Sequence, residues 1–143
     1  MKRLGLILGA IAGLSMLAMA GESDPEVAAR RVALDLAGAF SNDGFKLRDG
    51  HWCGTFEARK PQIIQVNLYA GNQYWFAAAA NAKAKKIAVD LYDEGGKPLT
   101  TENYNEGERA SAGFSPTMSG QYFVAISLVE GEPSTICLVY SYK

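Results

Sequence analysis

The sequence predicts an all-β fold: an antiparallel β-sandwich of jelly-roll type, preceded by one N-terminal α-helix. Three observations carry that reading. Apolar residues alternate with period two in several separate runs, as in strands with one buried face. Glycine, proline and asparagine clusters punctuate those runs at short intervals. Only one stretch, near the N-terminus, carries apolar residues at helical spacing.

At 143 residues the chain has material for one domain. Lys2 and Arg3 precede an apolar run over residues 4–17, and Ala18-Met19-Ala20 matches the small-x-small pattern of a signal-peptidase site. Residues 1–20 are therefore expected to be a cleaved signal peptide, with an uncleaved anchor as the alternative. Residues 21–44 read as a linker and helix, and residues 45–143 as the sandwich. Asp24 is the expected N-cap, Pro25 suits the first turn, and Glu26 complements the positive helix end. Val32, Leu36 and Phe40 form a stripe that either packs on the sandwich or faces a partner. Ser41-Asn42-Asp43-Gly44 stops the helix.

From Phe45 the period changes to two. Phe45 to Arg48 and His51 to Glu57 are short candidate strands separated by Asp49-Gly50. In Gln62 to Tyr69, the residues Ile64, Val66 and Leu68 share a face. After Ala70-Gly71-Asn72, the run from Gln73 returns with Tyr74 and Phe76 facing inward and Trp75 outward. Ala77 to Lys86 reads as a strand end followed by a lysine-bearing loop. Ile87, Val89 and Leu91 mark what is expected to be the central strand, turning at Glu94-Gly95-Gly96 so that Leu99 resumes the apolar register. Thr100 to Glu108 is polar and reads as turn-rich, and Ala110 to Phe114 is a weak strand. Tyr122, Val124, Ile126 and Leu128 alternate, Glu130 to Pro133 turns, and Thr135 to Tyr142 is the last strand.

The Ala70-Gly71-Asn72-Gln73-Tyr74, Val89-Asp90-Leu91-Tyr92-Asp93-Glu94-Gly95-Gly96 and Ser119-Gly120-Gln121-Tyr122-Phe123-Val124 segments follow one another in an order that resembles the bacterial pre-peptidase C-terminal domain family. The likeness spans a little over half the chain. It implies a small β-sandwich or jelly-roll that accompanies secreted peptidases, and related collagen-binding domains take calcium. The chain is expected to depart from that pattern in having no peptidase domain, and it places a helix and a cysteine-bearing segment where a linker would lie.

Cys53 and Cys137 are the only cysteines, which in an exported chain reads as a structural disulfide, with two buried thiols as the alternative. Closing so long a loop is worth about 4–5 kcal/mol in the chain-entropy model. His51 is the only histidine; beside Cys53 on one strand face it mimics a thiol–imidazole pair, which a disulfide would disable. No G-x-S-x-G elbow occurs. One histidine and two distant cysteines supply a zinc site poorly. Asp90, Asp93 and Glu94 are weak calcium candidates at a turn, and no cofactor is otherwise expected. Trp75 and Tyr92 are the candidate ligand-binding residues, because exposed aromatics stack on sugars or anchor proteins. The bland alternative for Trp75 is cover by the helix. A net charge of −1, more negative once Lys2 and Arg3 are removed, gives no footing for nucleic acid.

These readings converge on a periplasmic or secreted, non-enzymatic binding or accessory module of the cell envelope. Its partner would be an envelope protein or polysaccharide, and no membrane span is expected after signal cleavage. A carbohydrate-binding module using exposed aromatics is the runner-up, and a small hydrolase centred on His51 the third reading.

Overall fold

The computed structural model describes residues 23–143. The signal-peptide expectation for 1–20 lies outside the described residues. Helix α1 (Asp24–Gly38) leads through a 3₁₀ turn at Ser41–Asp43 into nine strands. These are β1 (Lys46–Leu47), β2 (Trp52–Phe56), β3 (Gln62–Leu68), β4 (Tyr74–Ala80), β5 (Ala84–Tyr92), β6 (Glu102–Glu106), β7 (Arg109–Phe114), β8 (Gly120–Gly131) and β9 (Ser134–Tyr142). All strand-to-strand pairings between them are antiparallel. One sheet runs β1-β9-β4-β7-β6, with β2 also paired to β9; the other is only three strands wide, β3-β8-β5. The predicted all-β sandwich with one N-terminal helix is the fold observed.

The main core lies between the sheets. Leu68, Phe76, Ile87, Leu91, Ile126, Leu128 and Ile136 are fully buried there, each by the inward face of an alternating strand. Burying a side chain of this size is worth about 1.5–3 kcal/mol. Tyr74 and Phe76 point inward and Trp75 outward, as the alternation requires. Two tyrosines close the turns of the sandwich. The Tyr74 hydroxyl accepts from the Tyr69 amide at 2.9 Å, and the Tyr122 hydroxyl donates to the Met118 carbonyl at 2.6 Å.

A second, smaller core forms on the outer face of the wide sheet. Ala33, Leu36 and Ala37 of α1 pack on Ala77, Ala79 and Val139. Alanines on both sides allow helix and sheet to approach closely, which accounts for Ala77 and Ala79, whereas Ala78 and Ala80 face the main core. The helical stripe is thus intramolecular packing. Its cap is Ser23, one residue before the expected Asp24, because the Ser23 Oγ accepts from the Glu26 amide at 3.3 Å.

Cys53 and Cys137 are direct cross-strand partners of β2 and β9, with Cα atoms 4.1 Å apart, and form a disulfide. It lies on the helix-covered face, where Cys137 Sγ is 3.6 Å from the Glu26 carbonyl oxygen.

Three expectations are corrected. The strand β5 is not central; it is an edge of the three-stranded sheet, whose middle strand is β8. Ala84, Lys85 and Lys86 belong to β5 rather than to a loop, leaving only Asn81, Ala82 and Lys83 between strands. The polar stretch read as turns contains β6, all five of whose residues are exposed. Beyond the Asp93–Lys97 turn, Leu99 dips into the main core and the chain crosses to the other sheet.

Candidate functional site

Trp75 sits where the end of the helix meets the outer face of the wide sheet. Its cross-strand neighbour in β7 is Gly113, and the indole lies over it. A Cβ at position 113 would fall 2.8 Å from the ring, so glycine is what allows the indole to lie flat on the sheet. Phe40, just past the helix, stacks on the indole with ring centroids 4.4 Å apart and planes 8° from parallel. Phe45 meets Phe40 edge-on at 6.4 Å. The helix end therefore covers a ring face of Trp75, and the tryptophan is half-buried rather than freely exposed.

What stays open beside Trp75 is a cleft of about 340 Å³. Gln73, Thr101, Glu102 and Ser115 give it hydrogen-bonding groups, and Phe45 and Phe114 give it apolar wall. Such a combination of aromatic surface and a few polar groups is what small-ligand and side-chain pockets use.

Tyr92, the other aromatic candidate, is half-buried at the end of β5 and lies on the outer face of the narrow sheet. It pairs with Phe123 across the strands and bridges to Pro98. Trp75 and Tyr92 thus lie on opposite outer faces of the sandwich and contribute to no common site.

Of the calcium candidates, Asp93 and Glu94 share a hollow at the turn and Asp90 does not line it. Asp90 stands exposed on the outer face of β5, opposite Ala125. The Asp93 Oδ1 accepts from the Lys97 amide at 2.8 Å and so closes its own turn, helped by Gly96 at φ +83°. Glu94 lines a small hollow with Asp93 and Met118. Among the described residues no group of three or more His, Cys, Asp and Glu side chains is placed to hold a metal ion.

The chain matches no family model and no curated protein.

A second cleft of about 340 Å³ opens between the facing edges of the two sheets. Sequence reasoning missed it. Asp49, Gly50 and His51 interrupt the edge formed by β1 and β2, and Arg48 holds to β9 through its amide, 2.9 Å from the Tyr140 carbonyl. The Arg48 guanidinium lies over the Tyr140 ring, 5.5 Å from its centroid. Trp52, Ile64 and Tyr140 make the apolar wall. Burial raises the Tyr140 hydroxyl above the ordinary tyrosine pKa; Tyr74 acts in the same direction and the Arg48 charge opposes both. The Asp49-Gly50 pair was the available signal, since an interruption on a strand edge marks where a rim opens. His51 lies on this rim, and the disulfide removes Cys53 from any thiol–imidazole pair with it. Among the described residues no helix is long and apolar enough to cross a membrane.

Proposed function

We propose that this chain is an exported, non-enzymatic β-sandwich that acts as a binding or accessory module in the cell envelope. The observation that carries the reading is the Trp75 cleft. There an aromatic side chain is fixed by Phe40 and Gly113 on a rigid sheet, beside Gln73, Thr101 and Glu102. A preorganised aromatic with a polar rim suits an anchoring side chain of a protein partner. The Cys53–Cys137 disulfide supports an oxidising compartment, hence a periplasmic or secreted location. The resemblance to pre-peptidase C-terminal domains points to the same accessory role. Polysaccharide is the second reading, favoured by Glu102 and Thr101 beside the indole.

The test is affinity capture with the tagged protein from envelope extract, with and without calcium, comparing wild type with Glu102→Ala and Gln73→Ala together. A stoichiometric protein retained by wild type and reduced about tenfold by the double variant supports the reading. Retained glycan moves the assignment to polysaccharide. Equal retention by both proteins, or retention of nothing, removes the Trp75 cleft as the binding site.

A further inference from the structure

The sheet edges of this sandwich are not protected equally, and the difference singles out β3. Edges ordinarily carry charges, prolines, bulges or interruptions that block the addition of a further strand. The β6 edge carries Glu102 and Glu106, which an antiparallel self-pairing would set against one another. The β5 edge carries Lys85 and Lys86, has an irregular register between Ala84 and Ile87, and is tied to the other sheet by the Ile87 amide donating to the Gly107 carbonyl. The edge formed by β1 and β2 is interrupted between Leu47 and Trp52.

Strand β3 has fewer of these devices. Its tie to the wide sheet is at its first residue, where the Gln62 side-chain amide donates to the Thr55 carbonyl of β2 at 2.6 Å, and this leaves the backbone of the rest of the strand open. Its seven residues, Gln62 to Leu68, hold no charge and no proline, and its register with β8 runs unbroken from Gln62–Ile126 to Leu68–Gly120. Ile63 on its outer face is 65% exposed. On its inner face Ile64 is only half-buried, because beyond it the sandwich opens into the cleft lined by Trp52 and Tyr140. The sheet that ends at β3 is three strands wide against the larger sheet opposite.

We propose that β3 is a self-pairing edge, through which two copies of this chain join their narrow sheets into one continuous antiparallel sheet. The occupant is a second copy because the strand is complementary to itself. The register that overlaps all seven residues sets Gln65 of one copy beside Gln65 of the other. It matches Ile64 with Val66 on the core side and Ile63 with Asn67 on the outer side. No pair in that register opposes like charges, so the ordinary electrostatic block to self-association is missing. Arg48 and Asp49, adjacent on the facing rim, are of opposite sign and add no net charge to the approach. A contact built on one strand pair is small, so the dimer is weak, with a Kd on the order of 10 µM.

Sedimentation velocity of the purified, disulfide-intact protein from ~1 to ~500 µM tests this, with Gln65→Lys and Gln65→Glu as variants. Position 65 is exposed, so both substitutions leave the core untouched. The wild type is expected to pass from monomer to dimer over that range. Each variant alone should weaken the dimer at least ~10-fold, because it sets like charges against one another at the two-fold axis. An equimolar mixture of the two should restore dimer, which also shows that both fold. A wild type that stays monomeric throughout overturns the proposal. So does a dimer indifferent to both variants, which would place the contact elsewhere. A monomeric wild type whose β3 amides gain exchange protection only in envelope extract overturns the choice of a second copy in favour of a foreign strand.

Discussion

The two outer faces of the sandwich are built from opposite materials. On the wide sheet the outward positions are Ala77, Ala79, Val139, Cys53 and Cys137, small or flat side chains beneath α1. On the narrow sheet they are Ile63, Gln65, Asp90, Tyr92, Phe123 and Ser127, larger or more polar, with Ala88 and the buried Ala125 between them, and among the described residues no helix lies over them. A strand pattern that alternates small with large apolar residues therefore reports a second covered layer, whereas one that alternates polar with apolar reports a face left to water or to a partner. The difference also places the two clefts. One lies where the helix ends on the covered face, and the other where the narrow sheet stops short.

The sharpest way to break this contrast is to cut the covered face at its covalent point. The disulfide joins β2 to β9 beneath the N-terminal half of α1, and the bare face has no counterpart among the described residues. Replacing both cysteines by alanine is expected to cost about 2–5 kcal/mol in urea unfolding. In hydrogen exchange the loss should be largest in β2 and α1 and smallest in β3. A uniform loss across both sheets would mean that the bond acts only through the unfolded chain, and that the covered face gains nothing particular from it.

A smaller effect separates the faces by volume. Ala77→Leu adds three carbons at a fully buried position under the helix, an overpacking that should cost about 1–3 kcal/mol. Ala88→Leu adds the same volume on the bare face, where Ala88 is half-buried opposite Ser127, and should stay within about 0.5 kcal/mol of wild type. Equal thermal shifts for the two variants would show that α1 is not a fixed layer.

How much of this was legible beforehand follows from the range of the interactions involved. The alternating runs at Ile64–Leu68, Ile87–Leu91 and Tyr122–Leu128 declare a buried face through their own side chains, and the turn at Glu94-Gly95-Gly96 needs only local geometry. Strand β6 was invisible because both its faces are wet, so its sequence has no reason to alternate. Lys85 and Lys86 read as loop because a charged edge strand resembles one. That Ile87–Leu91 lies at an edge, with β8 in the middle, depends on pairing between distant segments that composition does not record. The aromatic candidates divide the same way. The outward turn of Trp75 follows from alternation, but Phe40 above it and Gly113 below it come from a helix end and a strand far away in sequence.

Those two neighbours supply the finest test of the comparison. Phe40 on the covered face and Phe123 on the bare face are both half-buried aromatics beside another aromatic, Trp75 in one case and Tyr92 in the other. If cover by the helix end is what holds Trp75, Phe40→Ala loses a stacked pair and its buried area together, about 1–2 kcal/mol. Phe123→Ala loses a cross-strand contact on an open face, about 0.2–1 kcal/mol. Stability alone separates values that close only narrowly, so quenching of tryptophan fluorescence by acrylamide is the better reading. Phe40→Ala uncovers a ring face and should raise the accessible fraction, whereas Phe123→Ala should leave it unchanged, since neither Trp52 nor Trp75 contacts that face. A rise in both variants would mean that the sandwich loosens as a whole. A rise in neither would mean that Gly113 and the sheet alone hold the indole flat, making Phe40 a passenger on the covered face rather than its lid.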